Sequence, residues 1–357
     1  MKHIFIINPA AGLTDKTEHI RKELSKREDI EAIVFNTEES GHETQIMKEM
    51  LDIFDDEPVR ICICGGSGTL SNALDGICVE EMDHVEIAFY PCGLTNDYLK
   101  NFKDQGKQFE NLNAVLDAKT RNVDFMRCVI DGDDNYVKNE LLFVTVGVAA
   151  NIERMSRFFK FIGGISPSIM YGFCTMIALP FSPTVDYEVY IDGVDYSRDY
   201  KLIYIGNSVC MGGGFIPIKK GIDCRDGYIN VLLVKRIPFL QSLAFLSDFM
   251  HGELANKHKD QVDFVTCKEI FIKRKDNKIM NINADGEINS DHSWNIKVVN
   301  GRMQFAVPSG ATFLDDCDEL CKCIGESHKT LKECKKARKE AKKKKNKNKK
   351  KNKNKKK

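Results

Sequence analysis

Apolar residues fall into two textures along the chain. In the first third they form short continuous runs rich in β-branched residues, each followed by a polar turn and then by apolar positions at helical spacing. Residues 2–7, 30–35, 59–64 and 85–90 are the runs, and they predict buried strands. Residues 14–27, a segment from Gly41 to about Phe54, and Leu70, Ala73, Leu74 and Ile77 carry the helical spacing; a further helix is expected from Asp97 or Tyr98. Strands alternating with helices through short loops predict an α/β domain with a doubly wound parallel sheet. From about Asn122 the texture changes. Strand-like runs at 123–130, 136–148, 185–191, 200–209, 227–235, 269–273, 279–284, 294–299 and 303–307 are separated by turn signals such as Asp131-Gly132, Asp192-Gly193 and Asn300-Gly301. They predict a mainly antiparallel β-sandwich or barrel. Helical insertions near 152–179 and 238–254 interrupt it, and the apolar spacing of the second reads as packed core.

The pattern divides the chain into an α/β domain over 1–122, a β-rich domain over 123–308, a charged helical segment over 309–341 and a tail over 342–357. The tail contains 12 Lys and 4 Asn, cannot bury apolar surface and is expected to be disordered. It also hides an asymmetry. The formal net charge is +1, so the first 341 residues carry about −11. An acidic body with a basic tail points to an anionic membrane surface as the tail's partner, with a plain solvated terminus as the next reading and RNA, bound without sequence preference, as the third. No specific nucleic-acid recognition is expected. The 13 cysteines, with no signal-peptide pattern at the start, fit reduced thiols in a cytoplasm. Cys317, Cys321, Cys323, His328 and Cys334 cluster, but their spacing matches no standard zinc pattern. The long apolar stretch near 162–181 is broken by Gly163, Gly164, Pro167, Gly172 and Pro180, which argues for a packed or membrane-touching segment over a spanning helix.

Candidate chemistry gathers where strands end. Three turns follow strands of the parallel sheet: Asn8-Pro9-Ala10-Ala11-Gly12, Gly65-Gly66-Ser67-Gly68-Thr69 and Gly93-Leu94-Thr95-Asn96-Asp97. Ligands of such sheets bind outside the carboxyl ends of the strands. A glycine turn leading into a helix exposes backbone N–H groups at a positive helix end, a cradle for phosphate. One glycine turn alone could equally be a tight connection without a ligand; three converging turns favour a nucleotide-sized site. No Walker P-loop, protein-kinase signature or dinucleotide Gly-x-Gly-x-x-Gly is present.

These turns, followed by Gly212-Gly213-Gly214, Pro217, Asp226-Gly227 and Asp285-Gly286-Glu287, resemble in kind and order the bacterial lipid kinase family with the diacylglycerol kinase catalytic domain, relatives of sphingosine kinases, over roughly residues 2–308. The resemblance implies transfer of a phosphoryl group from ATP to a lipid hydroxyl, with Mg²⁺, in a cleft between the two domains. Thr37, Thr69, Asn96 and Asp97 match nucleotide-side positions of the family. Glu287 matches its proton acceptor, with Asp285 as the other candidate base. Asp226 matches a structural Mg²⁺ ligand, with main-chain oxygens of Asp223 and Tyr228 beside it. The resemblance also implies a protein peripheral at the membrane and often dimeric, and the segments 155–181 and 239–250 are candidates for lining an acyl pocket.

Three positions depart from the family pattern. Ser67 stands where the family has aspartate, Leu94 where it has threonine, and Asn72 where it has glutamate. Thr95, displaced by one position, is a candidate substitute for the missing hydroxyl. A catalytically weak or inactive lipid- or nucleotide-binding relative is therefore the alternative reading, and a kinase of a soluble substrate such as NAD is a third. The kinase reading requires Gly66 and Glu287 to share one cavity.

Overall fold

A computed structural model describes residues 1–55, 57–93, 96–103, 106–158, 167–209, 211, 217–218, 222–238 and 241–313. The Cys317–Cys334 cluster, the tail, Leu94, Thr95 and Gly212–Gly214 of the sequence reading lie outside them.

The first four strands are β1 (Lys2–Ile7), β2 (Ala32–Asn36), β3 (Val59–Gly65) and β4 (Val85–Pro91), with helices α1 (Thr17–Leu24), α2 (His42–Ile53), α3 (Ser67–Leu74) and α4 (Leu112–Leu116). All four strands pair in parallel in the order β2-β1-β3-β4. Every residue of β3 is buried, which is why that stretch reads as an unbroken apolar run rather than an alternating one. The helix expected after Asp97 is a short 3-10 turn, Asp97–Asn101.

The second half contains β5 (Lys119–Ile130), β6 (Asp133–Glu140), β7 (Phe143–Gly147), α5 (Val148–Phe158), α6 (Pro167–Phe181), β8 (Val185–Ile191), β9 (Val194–Asp195), β10 (Arg198–Tyr200), β11 (Leu202–Gly206), β12 (Ile229–Val234), α7 (Ser242–Met250), α8 (Leu254–Lys257), β13 (Val262–Cys267), β14 (Glu269–Arg274), β15 (Met280–Ala284), β16 (Glu287–Asp291) and β17 (Ser293–Val307). Two sheets face each other. One is six-stranded and antiparallel, in the order β13-β12-β11-β7-β15-β16; the other contains β5, β6, β8–β10, β14 and β17. Their inner faces meet in one core that includes Met126, Val146, Ile203, Val231, Ile272, Ile282 and the fully buried Trp294. Each strand contributes alternate residues to it, as a sandwich requires.

Two segments depart from the sequence reading. The run at 136–148 is not one strand. It breaks between β6 and β7 because the N–H groups of Leu141, Leu142 and Phe143 donate to the Asp285 carboxylate. The runs at 294–299 and 303–307 are one strand, not two. The Asn300-Gly301 signal is an irregularity inside β17, where the register against β5 shifts between Val299 and Met303. There the Gly301 N–H donates to Asp124 Oδ1 at 2.7 Å. Beyond that point β17 runs parallel to β4, so the large sheet is continuous from β2 to β10. This shared sheet brings the carboxyl ends of β1–β4 toward the β15–β16 hairpin.

Candidate functional site

A cleft of about 420 Å³ opens at the carboxyl ends of the parallel strands, lined by Asn8, Ala10, Ala11, Thr37, Glu38, Glu39, Ser40, Glu43, Gly66, Ser67, Gly68, Thr69, Asn72, Gly93 and Glu287. Gly66 and Glu287 therefore share one cavity. Pro9, Gly12, Gly65, Asn96 and Asp97 belong to the same turns but are not among the lining residues.

The loops are locked to one another by backbone and by small side chains. Asn8 spans two of them: its Nδ2 donates to Thr69 Oγ1 at 3.0 Å while its Oδ1 accepts from the Ala10 N–H at 3.0 Å. The Cys92 N–H donates to the Gly65 oxygen at 2.8 Å. A Cβ on Gly93 would lie 2.5 Å from Gly66 Cα, closer than any side-chain carbon can pack, so the third loop meets the second this closely only because residue 93 is glycine. Gly12 has φ +87°, and a Cβ there would collide with the Cys92 carbonyl. Ser67 opens α3, and its Oγ accepts the Asp97 N–H at 2.9 Å. The residue that departs from the family pattern thus ties the second loop to the third. Asp97 in turn forms an ion pair with Lys100 at 2.7 Å.

Across the cleft stands Glu287. Its Oε1 lies 3.9 Å from the point a Cβ on Gly68 would occupy, so the carboxylate faces the first turn of α3. Glu287 follows the tight turn between β15 and β16, in which Asp285 (φ +45°) and Gly286 (φ +99°) both adopt left-handed backbone. Asp285 points the other way. It is buried, is absent from the cleft lining, and accepts N–H bonds from Leu141 (2.8 Å), Leu142 (3.0 Å) and Phe143 (2.7 Å). Burial pushes its carboxyl up to about 6, against the pull of those donors.

The loop implied to hold metal also sits apart from the cleft lining. Asp226 Oδ1 accepts the Tyr228 N–H at 3.0 Å, and Asp223 pairs with Arg225 at 3.2 Å. Among the described residues no three His, Cys, Asp or Glu side chains converge as a metal cage. Mg²⁺ seldom uses one, being held by one or two carboxylates together with substrate phosphates. The cleft's own chemistry fits that mode. Among the described residues Glu38, Glu39, Glu43 and Glu287 line it and no Lys or Arg does, so a polyphosphate entering it needs countercharge from a cation. Glu43 is buried, accepts the Gly41 N–H at 3.0 Å, and burial raises its carboxyl.

Sequence reasoning missed the fourth wall, Glu38–Glu43, although the rule of strand carboxyl ends points to the loop after β2 as much as to the other three. It also missed Asp124, a fully buried carboxylate accepting the Gly227 and Gly301 N–H groups at 2.7 Å each, and Glu140, buried behind the Glu287 turn. Isolated acids in strand-like runs leave no motif to find.

Comparison with known proteins agrees with this architecture. The family profile described as "Diacylglycerol kinase catalytic domain" matches residues 2–128, and that described as "YegS C-terminal NAD kinase beta sandwich-like domain" matches residues 143–307. The chain is 24% identical over 309 residues to a Bacillus subtilis protein named "Putative lipid kinase YtlR", covering 81% of this chain and 94% of that one. It is 22% identical over 246 residues to a Staphylococcus carnosus protein named "Putative lipid kinase", covering 68% and 74% respectively. A solved structure titled as a "putative diacylglycerol kinase" from Bacillus anthracis superposes with a TM-score of 0.67 at 20% identity, covering 87% of this chain and 98% of its own; this likeness shows the fold.

Proposed function

Because the chain belongs to the bacterial lipid kinase family that carries the diacylglycerol kinase catalytic domain, we propose that it transfers the γ-phosphoryl group of ATP to the hydroxyl of a diacylglycerol-like lipid at a membrane surface. The observation that carries this reading is the shared cleft, with the glycine loop on one side and Glu287 facing Gly68 on the other. The backbone of residues 65–69, at the start of α3, cradles phosphate, and Asn8 holds Thr69 beside it. Glu287 accepts the proton of the attacking hydroxyl as its oxygen bonds to the γ-phosphorus and the bond to the bridging oxygen breaks, releasing ADP. Mg²⁺, when bound with the nucleotide, would neutralise phosphate charge in an acid-lined cleft; Asp226, with the main-chain carbonyls of Asp223 and Tyr228, is the family-implied ligand set of a structural ion.

The membrane side rests on two features. Residues 161–185 contain no charged residue. Helix α6 within them exposes Phe173, Met176, Ile177 and Phe181 on one side while Cys174, Thr175 and Leu179 are buried. At 15 residues it is about 22 Å long, against a bilayer core of about 30 Å, and among the described residues no helix is long and apolar enough to cross a membrane. Such a helix fits an interfacial position, with the lysine tail adding attraction to anionic lipid.

Incubating the protein with labelled ATP, Mg²⁺ and a mixed lipid extract tests the proposal. A labelled lipid that disappears with Glu287→Gln supports it, and label passing only to added NAD replaces it with a soluble-substrate kinase. The second reading, a lapsed relative, is favoured by Ser67; product from Ser67→Asp but none from the wild type would establish it.

A further inference from the structure

Asp285 and Glu140 present a question that the phosphate chemistry does not answer. Both carboxyls are buried, at 5% and 1% exposure, and Asp285 accepts the N–H of Leu141, the residue that follows Glu140. Asp285 is surrounded by backbone donors, three consecutive N–H groups from residues 141–143. Glu140 Oε2 accepts the Ser71 hydroxyl at 3.0 Å, and Ser71 belongs to α3, the helix whose first turn forms the phosphate cradle. The three donors favour the charged form of Asp285, while burial, with the Asp285 charge nearby, raises the Glu140 carboxyl.

The segment between them grips α3 a second time. Asn139 donates from its N–H to Asp75 Oδ1 at 2.8 Å and from Nδ2 to the Leu74 and Ile77 oxygens, at 2.9 Å each. Lys138 pairs with Asp75 at 3.1 Å, so the nearby cation is engaged elsewhere. A continuous path therefore runs from α3 through the Ser71–Glu140 hydrogen bond and the backbone of residues 140–143 to Asp285, and Asp285 is two residues from Glu287. Stability alone does not ask for this. An apolar pair of the same volume would avoid burying two acids.

Resting on the lipid kinase reading above, we infer that Glu140 and Asp285 are a positioning pair that fastens the β15–β16 turn to the cradle helix and so sets the distance between bound phosphate and the Glu287 carboxylate. Neither acid touches the cleft; both act through Glu287. The ionisable groups around the pair are Asp75 and Lys138, with the Cys128 thiol on β5 and the Ser71 hydroxyl on α3.

The test separates placement from folding. Glu140→Gln keeps the volume and an acceptor for Ser71 but cannot ionise, and should hold kcat within about threefold of wild type while flattening the alkaline limb of its pH profile. Glu140→Leu fills the space without that bond and should cut kcat at least about tenfold with KM for ATP within about twofold. Amide hydrogen exchange at residues 286–288, which needs no turnover, should be at least about tenfold faster in Glu140→Leu. Should that variant fail to fold, Ser71→Ala removes only the helix side of the link and should lower kcat by about threefold or more at unchanged KM for ATP. Wild-type kcat and wild-type exchange in a folded Glu140→Leu protein overturn the pair. Exchange that accelerates as expected in a protein that phosphorylates no lipid keeps the pair and removes the lipid kinase reading alone.

Discussion

Two glycine substitutions at the cleft should move stability in opposite directions while both damaging activity. Gly93→Ala puts a methyl 2.5 Å from Gly66 Cα and 3.1 Å from Gly66 N. Ordinary carbon contacts are about 3.5–4.0 Å, so the loops must separate by about 1 Å. Overpacking of that kind costs about 1–3 kcal/mol, a fall of several degrees in Tm. A displacement of about 1 Å in the cradle can also cost about a hundredfold in kcat/KM. Gly68→Ala meets nothing closer than Glu287 Oε1 at 3.9 Å. Being helical, it should gain about 0.4–1 kcal/mol and raise Tm by about 1–3 °C. The same methyl intrudes on the space between cradle and base, so kcat/KM should fall about tenfold or more. Thermal unfolding beside steady-state phosphoryl transfer from labelled ATP reads both. A Gly68→Ala protein that is more stable and fully active would show that the reacting groups do not pass between α3 and Glu287, and the cleft would lose its assignment.

Ser67→Ala leaves the buried Asp97 N–H without the acceptor seen at 2.9 Å and should cost about 1–3 kcal/mol; Ser67→Asp retains an acceptor and should lower the Mg²⁺ concentration for half-maximal activity, and equal unfolding midpoints for wild type and Ser67→Ala would refute the link. Deleting 342–357 should weaken binding to anionic phospholipid vesicles and remove its salt dependence, whereas Phe173→Ser with Phe181→Ser should weaken it about tenfold or more at every salt concentration; cosedimentation unchanged by either would sink the corresponding contact. The pH dependence of stability has a definite sign. The Asp285 carboxyl is raised to about 6 and that of Glu140 is raised by burial beside it, so the folded protein binds protons that the unfolded chain releases above about 4. That contribution is fully present below the unfolded value and is lost as pH rises through about 6. The difference in Tm between pH 5 and pH 8 should therefore shrink in Glu140→Gln, and an unchanged difference would contradict the raised Glu140 carboxyl.

Periodicity alone carried the parallel sheet, its four strands and the change to a β-sandwich, because a strand buried on both faces must be apolar throughout and a helix must repeat every three to four residues. The turns after β1, β3 and β4 were legible for the same local reason: glycine, proline and asparagine mark where a strand must stop. Chain order then placed Asp285-Gly286-Glu287 in the second half. What local pattern could not decide was which of the two acids faces the cleft. That depends on three N–H groups over 140 residues away in sequence, which turn Asp285 inward and leave Glu287 outward. The same capture broke a strand that the apolar run predicted as continuous. Asn300-Gly301, a turn by its composition, became an irregularity because β17 had a partner on each side of it to pair with. Ser71, Glu140 and Asp124 carry no motif at all. Their roles arise only when the shared sheet brings both halves of the chain together, since an acid's work when buried is set by the donors that surround it rather than by its neighbours along the chain.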